Sequence, residues 1–215
     1  MLVLGMVGYA WAQDEGAQTY AYTTDGKIIV TAYMTGVAFS LDATTWTIGQ
    51  VTPSQILSSD AYKLQNDGGV NIDLTFEMIP DAGADVAWTA DDDIDVTPDY
   101  STFPATDKYY LEPLLTDAGD TRPAASTNYS LDGTYYDGTG LIEGTAKEAT
   151  VNLFAEDVST ADANGLNLPA YVPGNNDGDD VYINLLFIAP ASITGAPGAG
   201  NVHTHEIKIT ASLSS

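Results

Sequence analysis

The sequence predicts an all-β protein, a single antiparallel two-sheet β-sandwich of jelly-roll or Ig-like type with long acidic loops. The first observation is a strict alternation. Val70, Ile72, Leu74 and Phe76 fall on one side of the chain, and Asn71, Asp73, Thr75 and Glu77 on the other. A period of two marks a strand with one face buried and one wet. The second is repetition: about eight to ten short apolar runs follow one another, bounded by Gly, Pro, Asn or Asp. The third is composition. Thirteen Tyr and plentiful Thr, Val and Ile favour strands, whereas Lys, Glu, Arg and Gln, the usual surface of long helices, are scarce. No helical pattern longer than two turns and no internal repeat breaks the chain, so residues 13–215 are expected to form one domain.

The central pair of strands comes from Tyr62 to Phe76. Tyr62 and Leu64 alternate with Lys63 and Gln65 ahead of Asn66-Asp67-Gly68-Gly69. Asn, Asp and Gly accept the positive φ of tight turns, so the two runs are expected to close as a β-hairpin. Upstream, Lys27 to Thr35 is a strong strand that Val37 to Leu41 continues past a bend at Gly36. Thr44 to Val51 is a third, stopped by Pro53. Downstream, Val86 to Thr89 reads as a short strand, Asp107 to Leu115 as a strand or one turn of helix, and Ala149 to Ala155 as a strand. Asp180 to Ile188 is the most apolar run and ends at Pro190. Val202 to Ala211 is a last alternating strand, with His203, His205, Ile207, Ile209, Ala211 and Leu213 expected inward.

Charge narrows the partners. The 215 residues carry 30 acidic and 6 basic side chains, a formal net charge of −24. A field of that sign repels nucleic acid and anionic membrane surfaces and attracts cations. The same excess serves solubility in a high-salt medium. With 44% hydrophobic residues the chain fills a core and is not a disordered acidic tail. It has no cysteine, which excludes disulfides, a Cys-based zinc site, a thiol nucleophile and a lipobox anchor.

Residues 1–12 are apolar and too short to span a bilayer. Ala10-Trp11-Ala12 ahead of Gln13 has the small-x-small form of a cleavage site, without the basic residues that usually open a signal peptide. The segment is expected to be a signal remnant or a donor strand. As a donor it pairs with a sheet edge of a neighbouring subunit, with Leu2, Leu4, Val7, Tyr9 and Trp11 at the interface.

Two acidic loops offer oxygen ligands of the kind Ca2+ takes: Asp91, Asp93 and Asp95, and Asn175, Asp177 and Asp179 around Gly178. The second lacks the downstream bidentate Glu of an EF-hand, and solvated acidic loops are the ordinary alternative. No other cofactor is indicated. His203-x-His205 has a spacing that can chelate a transition metal, against the plainer picture of a strand leaving the core with both His near its rim. Asn128-Tyr129-Ser130 has the form of a glycosylation sequon. There is no nucleophile elbow and no phosphate loop, and nothing marks a catalytic pair among so many carboxylates. No catalytic residue is named and the protein is not expected to be an enzyme. Trp46, Trp88, Tyr109, Tyr110, Tyr135 and Tyr136 can stack on sugar rings if exposed. A secreted, monomeric carbohydrate-binding or adhesin module is therefore the alternative.

Three stretches share a style of strand and turn with a known group: Thr45-Trp46-Thr47-Ile48-Gly49-Gln50-Val51-Thr52-Pro53, then Leu64 to Leu74, then Phe187-Ile188-Ala189-Pro190 leading to Ile207-Lys208-Ile209-Thr210-Ala211. Over residues 27–80 and 180–213 the chain resembles secreted prokaryotic β-sandwich surface proteins: camelysin-like biofilm fibre proteins, archaeal bundling-pilus subunits and WxL-like wall proteins. No WxL motif is present. The resemblance implies an extracellular, cell-surface structural subunit that polymerises with itself by donating a strand to its neighbour, with glycans or other surface components as further partners.

Overall fold

A computed structural model describes residues 26–34, 37–79, 88–91, 103–117, 138–155, 157–172, 178–192, 194 and 203–214, the first of these stretches by its backbone alone. The described residues form strands and no helix. The strands are β1 (Gly26–Met34), β2 (Phe39–Leu41), β3 (Thr45–Gly49), β4 (Ile56–Ser58), β5 (Tyr62–Asn66), β6 (Ile72–Ile79), β7 (Thr89–Ala90), β8 (Lys108–Asp117), β9 (Lys147–Glu148), β10 (Asp180–Ile188) and β11 (Thr204–Leu213). They make two sheets. The first has the order β3-β1-β11-β6-β9. The second has the order β2-β5-β10-β8-β7, with β4 also paired to β10. Both sheets turn apolar side chains onto one core, an arrangement compatible with a β-sandwich.

Not all pairing is antiparallel. β1 runs parallel to β11, and β7 parallel to β8. The strands of each pair are far apart in sequence or joined by a long excursion, so no tight turn forces the antiparallel sense. β2 also does not continue β1: it pairs with β5 in the other sheet, so the chain changes sheets between Met34 and Phe39.

The expected central hairpin is an arch. β5 lies in the second sheet and β6 in the first. None of Asn66 to Gly69 has a positive φ. The two apolar faces meet across the core instead of side by side: Tyr62 and Leu64 are buried from one sheet, and Ile72, Leu74, Phe76 and Met78 from the other. Val70, expected on the inner face, falls in the bend and is 43% exposed. Asp73, expected wet, is buried, because the loop carrying Gly165 and Asn167 lies over it.

β8, left open between strand and helical turn, is a ten-residue strand. It and β10 are buried on both faces. Tyr109, Leu111 and Leu115 join the core, while the alternate residues Tyr110, Glu112 and Leu114 face away from it and are buried as well. Tyr110 donates its hydroxyl to the Glu112 carboxylate, and the backbone at Gly140 presses against the Tyr110 ring. Burial on both faces explains why Asp180 to Ile188 reads as a continuous apolar run.

Residues 138–168 close one side of the core. The N–H of Leu141 donates to Leu111 of β8, and the Phe154 carbonyl accepts from Leu115. The same segment supplies β9 to the edge of β6. Ala149 to Ala155, expected as a strand, is instead a tight loop. Thr150 and Leu153 exchange backbone hydrogen bonds, and Phe154 takes φ +68°. The short reversal drops Phe154 edge-on against Phe76, with ring centroids 6.0 Å apart.

The first sheet carries a notch. β11 pairs with β1 from Lys27 to Met34, but β3 pairs only with Gly26 to Ile29. Among the described residues no strand pairs with the other edge of β1 from Val30 to Met34.

Gly165 tests the packing over Asp73. A Cβ at that position would overlap the Asp73 carboxylate. That carboxylate already accepts the Asn167 N–H at 2.8 Å and the Ser214 hydroxyl at 3.2 Å. Gly165→Ala is expected to cost about 1–3 kcal/mol by overpacking. Urea unfolding measures it, and an unchanged midpoint would show that the loop can lift without loss.

Candidate functional site

The strand registers define two ends of the molecule. β6 begins, and β1 and β11 finish, at the end where the chain arches from β5 to β6. Asp179 and Asp180 open β10 at that same end, since the Asn66 N–H donates to the Asp179 carbonyl at 2.8 Å. At the opposite end lie Gly26 at the start of β1, Lys108 of β8, Ile188 of β10 and the two histidines. We call these the arch end and the histidine end.

Asn66 organises the arch end. Its side chain is fully buried. Nδ2 faces three carbonyls, those of Val70 at 2.8 Å, Leu168 at 3.2 Å and Pro169 at 2.7 Å. Oδ1 accepts the Gly68 N–H at 2.9 Å. One amide thus ties β5, the arch and the 168–169 loop. Around it lie Val70, Tyr171, Val172 and Leu213, exposed by 43%, 42%, 53% and 62%. The links are direct: Tyr171 donates its N–H to Gly68, Ser214 donates its N–H to Asn71, and Leu213 is opposite Ile72 in the sheet.

The arch end also holds buried carboxylates. Asp179 Oδ2 and Asp180 Oδ1 are buried and, among the described residues, have no hydrogen-bond partner. The other Asp180 oxygen pairs with Lys63. That hydrogen bond holds the Lys63 ammonium above its ordinary pKa, against the opposing effect of burial.

The histidine end is aromatic. His203 and His205, expected near the rim, are buried with 7% and 3% exposure. His203 stacks on Trp88 at a centroid distance of 4.0 Å, and His205 lies against Tyr109 at 4.0 Å. The flat rings fill the end of the core between β7, β8 and β11, which is why alternation alone placed both His inward. Beside them Asp107 accepts the Thr194 N–H at 2.7 Å and the Thr194 hydroxyl, and these hydrogen bonds hold its carboxyl below the ordinary range.

The two acidic loops do not converge. Asp91 lies at the histidine end, donating its N–H to Tyr109 and facing Lys108 at 3.7 Å. Asp179 lies at the arch end. Asp93, Asp95, Asn175 and Asp177 fall outside the described residues, as do Leu2, Leu4, Val7, Tyr9, Trp11 and Asn128. Among the described residues no three His, Asp or Glu side chains are grouped to hold a metal ion. Of the aromatic residues that can stack on sugars, Trp88, Tyr109 and Tyr110 are buried, Trp46 packs partly buried against the core, and Tyr135 and Tyr136 lie outside the described residues. Sequence reasoning missed the role of Asn66, which read only as a turn former, and the pairing of Asp180 with Lys63.

Among the described residues four lysines are committed. Besides the pairs of Lys63 and Lys108, Lys208 meets Glu77 at 3.2 Å, and Lys147 donates to the Gly140 carbonyl at 2.6 Å. Most of the 30 acidic residues therefore have no basic counterpart to meet.

No known family, curated protein or solved structure matches the chain. Among the described residues no helix is long and apolar enough to cross a membrane.

Replacing Asn66 measures how far the arch end depends on it. Asn66→Leu keeps the volume but takes this partner from the carbonyls of Val70 and Pro169 and the N–H of Gly68, while the Leu168 carbonyl keeps the Ile72 N–H. A loss of about 2–4 kcal/mol is expected in denaturant unfolding. Asn66→Asp, which cannot donate, is expected to lose at least as much at neutral pH. A loss under about 0.5 kcal/mol, the scale of an ordinary surface substitution, contradicts the role assigned.

Proposed function

We propose that the protein is a structural subunit of an extracellular filament, pilus or surface layer, and that copies join by β-strand complementation. The notch beside Val30–Met34 carries this reading. An unpaired strand edge presents a row of backbone N–H and C=O groups, and an added strand satisfies them. The same chain carries an apolar run, residues 1–12, ahead of β1. In a protein with net charge −24 that run is free of charged residues, so it can approach another copy without bringing carboxylates with it. Main-chain hydrogen bonds supply strength, and alternate side chains set the register. A contact of this heterologous kind, if it does not close on itself, makes a fibre.

We take the two sheets as a jelly-roll or Ig-like sandwich. The change of sheet at the arch and the first strand beside the last support that topology. A filament map at side-chain resolution checks the strand order.

Assembly is tested by comparing the full chain with one that begins at Gln13. The full chain is expected to show fibres in negative stain and to sediment as polymer, while the shortened chain remains as single particles. Equal assembly of the two removes strand donation by the N-terminal segment.

Cations complete the proposal. Repeated subunits of this charge need counterions between them, and the buried, unpartnered Asp179 Oδ2 is a place for Ca2+ to act. Calcium at roughly 100 times its Kd is expected to raise the melting temperature by about 5–10 °C. Mg2+ at equal ionic strength should do less, and Asp179→Asn should remove the difference. Identical shifts with both ions, unaffected by Asp179→Asn, would reduce the effect to screening.

A further inference from the structure

We infer that the arch end is the surface that receives a second copy, with Tyr9 and Trp11 of that copy's N-terminal segment seated on Val70, Tyr171, Val172 and Leu213. This rests on the filament reading and adds where the incoming chain lands and which way it runs.

The first ground is placement. The large hydrophobic residues left exposed among the described residues are these four, and all four sit at the arch end. Scattered exposed hydrophobics are ordinary, whereas a group gathered at one end of the sheets marks a contact surface. The group adjoins the notch: Leu213 follows Ala211, the residue opposite Met34 at the end of β1.

The second ground is polarity. β1 begins at the histidine end, where Lys27 is opposite Thr204. The residues before it therefore join the sheet at the end far from the exposed group. Along β11 the separation from Thr204 to Leu213 is about 30 Å at 3.3 Å per residue. When one copy stacks its histidine end on the arch end of another, residues 13–25 have only the junction to cross. Fully extended, they reach about 40 Å.

The third ground is direction. The incoming segment has Gln13 nearest its own copy and Met1 farthest from it. It therefore passes the arch end at Trp11 and Tyr9 and lays Leu2 to Val7 deeper in the notch. Its chain direction is then that of β1, from the histidine end toward the arch end, so the added strand is parallel to β1. The sheet already contains one such pairing, between β1 and β11. The tip of the segment stops where β3 begins, because Thr45 is opposite Ile29.

The absence of cysteine makes the test clean, since every disulfide reports an engineered pair. Full-length Trp11→Cys and Val172→Cys chains are mixed, allowed to assemble and oxidised. A disulfide forms only where Cα atoms approach within about 7 Å. The expected products are a mixed dimer from the blend and a ladder of multimers from the W11C/V172C double variant. Changing the exposed Val70 and Leu213 to Asp should lower both yields roughly tenfold. A closed monomeric disulfide in the double variant, with no mixed dimer, overturns the inference, because each copy then covers its own arch end. A second pair separates this result from the filament reading: Leu4→Cys with Thr31→Cys or Ala32→Cys, one on each face of β1. If that pair links copies and the 11–172 pair does not, the filament reading stands and the arch-end surface is discarded. If neither links copies and microscopy shows single particles, both fall.

Discussion

The amide of Asn66 holds the place where the chain leaves one sheet and enters the other. A passage between sheets exposes backbone groups that neither sheet can pair. Here the carbonyls of Val70, Leu168 and Pro169 and the N–H of Gly68 all turn to one buried side chain. An amide suits this position because it donates twice and accepts at once, which neither a carboxylate nor a hydroxyl does. With the arch fixed, β6 enters the first sheet in the register that buries Ile72, Leu74, Phe76 and Met78. A slip of one residue would send all four to the other face. β11 and then β1 take their registers from β6 in turn. The notch therefore depends on an interaction at the same end of the molecule, two strands away by way of β6 and β11.

Charge constrains the molecule as strongly as packing does. Lys63, Lys108 and Lys208 each spend their charge on a carboxylate at a strand edge or end, and Lys147 holds the Gly140 loop. They pin structure locally and leave the overall field nearly untouched. The more exposed pairs, of Lys108 with Asp91 and Lys208 with Glu77, contribute little stability each. The fold is held by its apolar core and by amide and carboxylate knots such as Asn66 and Asp73. Its surface remains a source of repulsion that dissolved ions must screen.

The alternation in the sequence located β5, β6 and β11, because alternation is a direct consequence of one buried face, and a continuous apolar run located β10. It could not show which sheet each strand joins. Asn66 to Gly69 serves an arch as well as a hairpin, and the choice was made by Leu168 and Pro169, about a hundred residues away. Asp73 looked wet because nothing local covers it; Gly165, Asn167 and Ser214 do so from other parts of the chain. The run from Ala149 to Ala155 had the composition of a strand, but Phe154 at φ +68° broke it to reach the core. The inward pairing of His203 and His205 was legible from spacing. Their aromatic neighbours were not, since Trp88 lies just before β7 and Tyr109 in β8.

Strand donation alone does not choose between a fibre and a closed pair. Two copies lying side by side, head against tail, could each place an N-terminal segment in the other's notch and close with two-fold symmetry. Electrostatics separates the two outcomes. Side-by-side closure would bring two chains of net charge −24 together along the length of their sheets. Over most of that contact the separation would be less than the screening length of about 8 Å at physiological ionic strength. End-to-end stacking brings together only the ends. On the receiving side that surface carries exposed apolar side chains and the exposed Asp67, with Asp179 buried and Asp180 paired with Lys63. The flanks then stay in solvent with their counterions. The acidity that looks at first like an obstacle to assembly thus favours the open, polar arrangement, and it does so more strongly as salt falls.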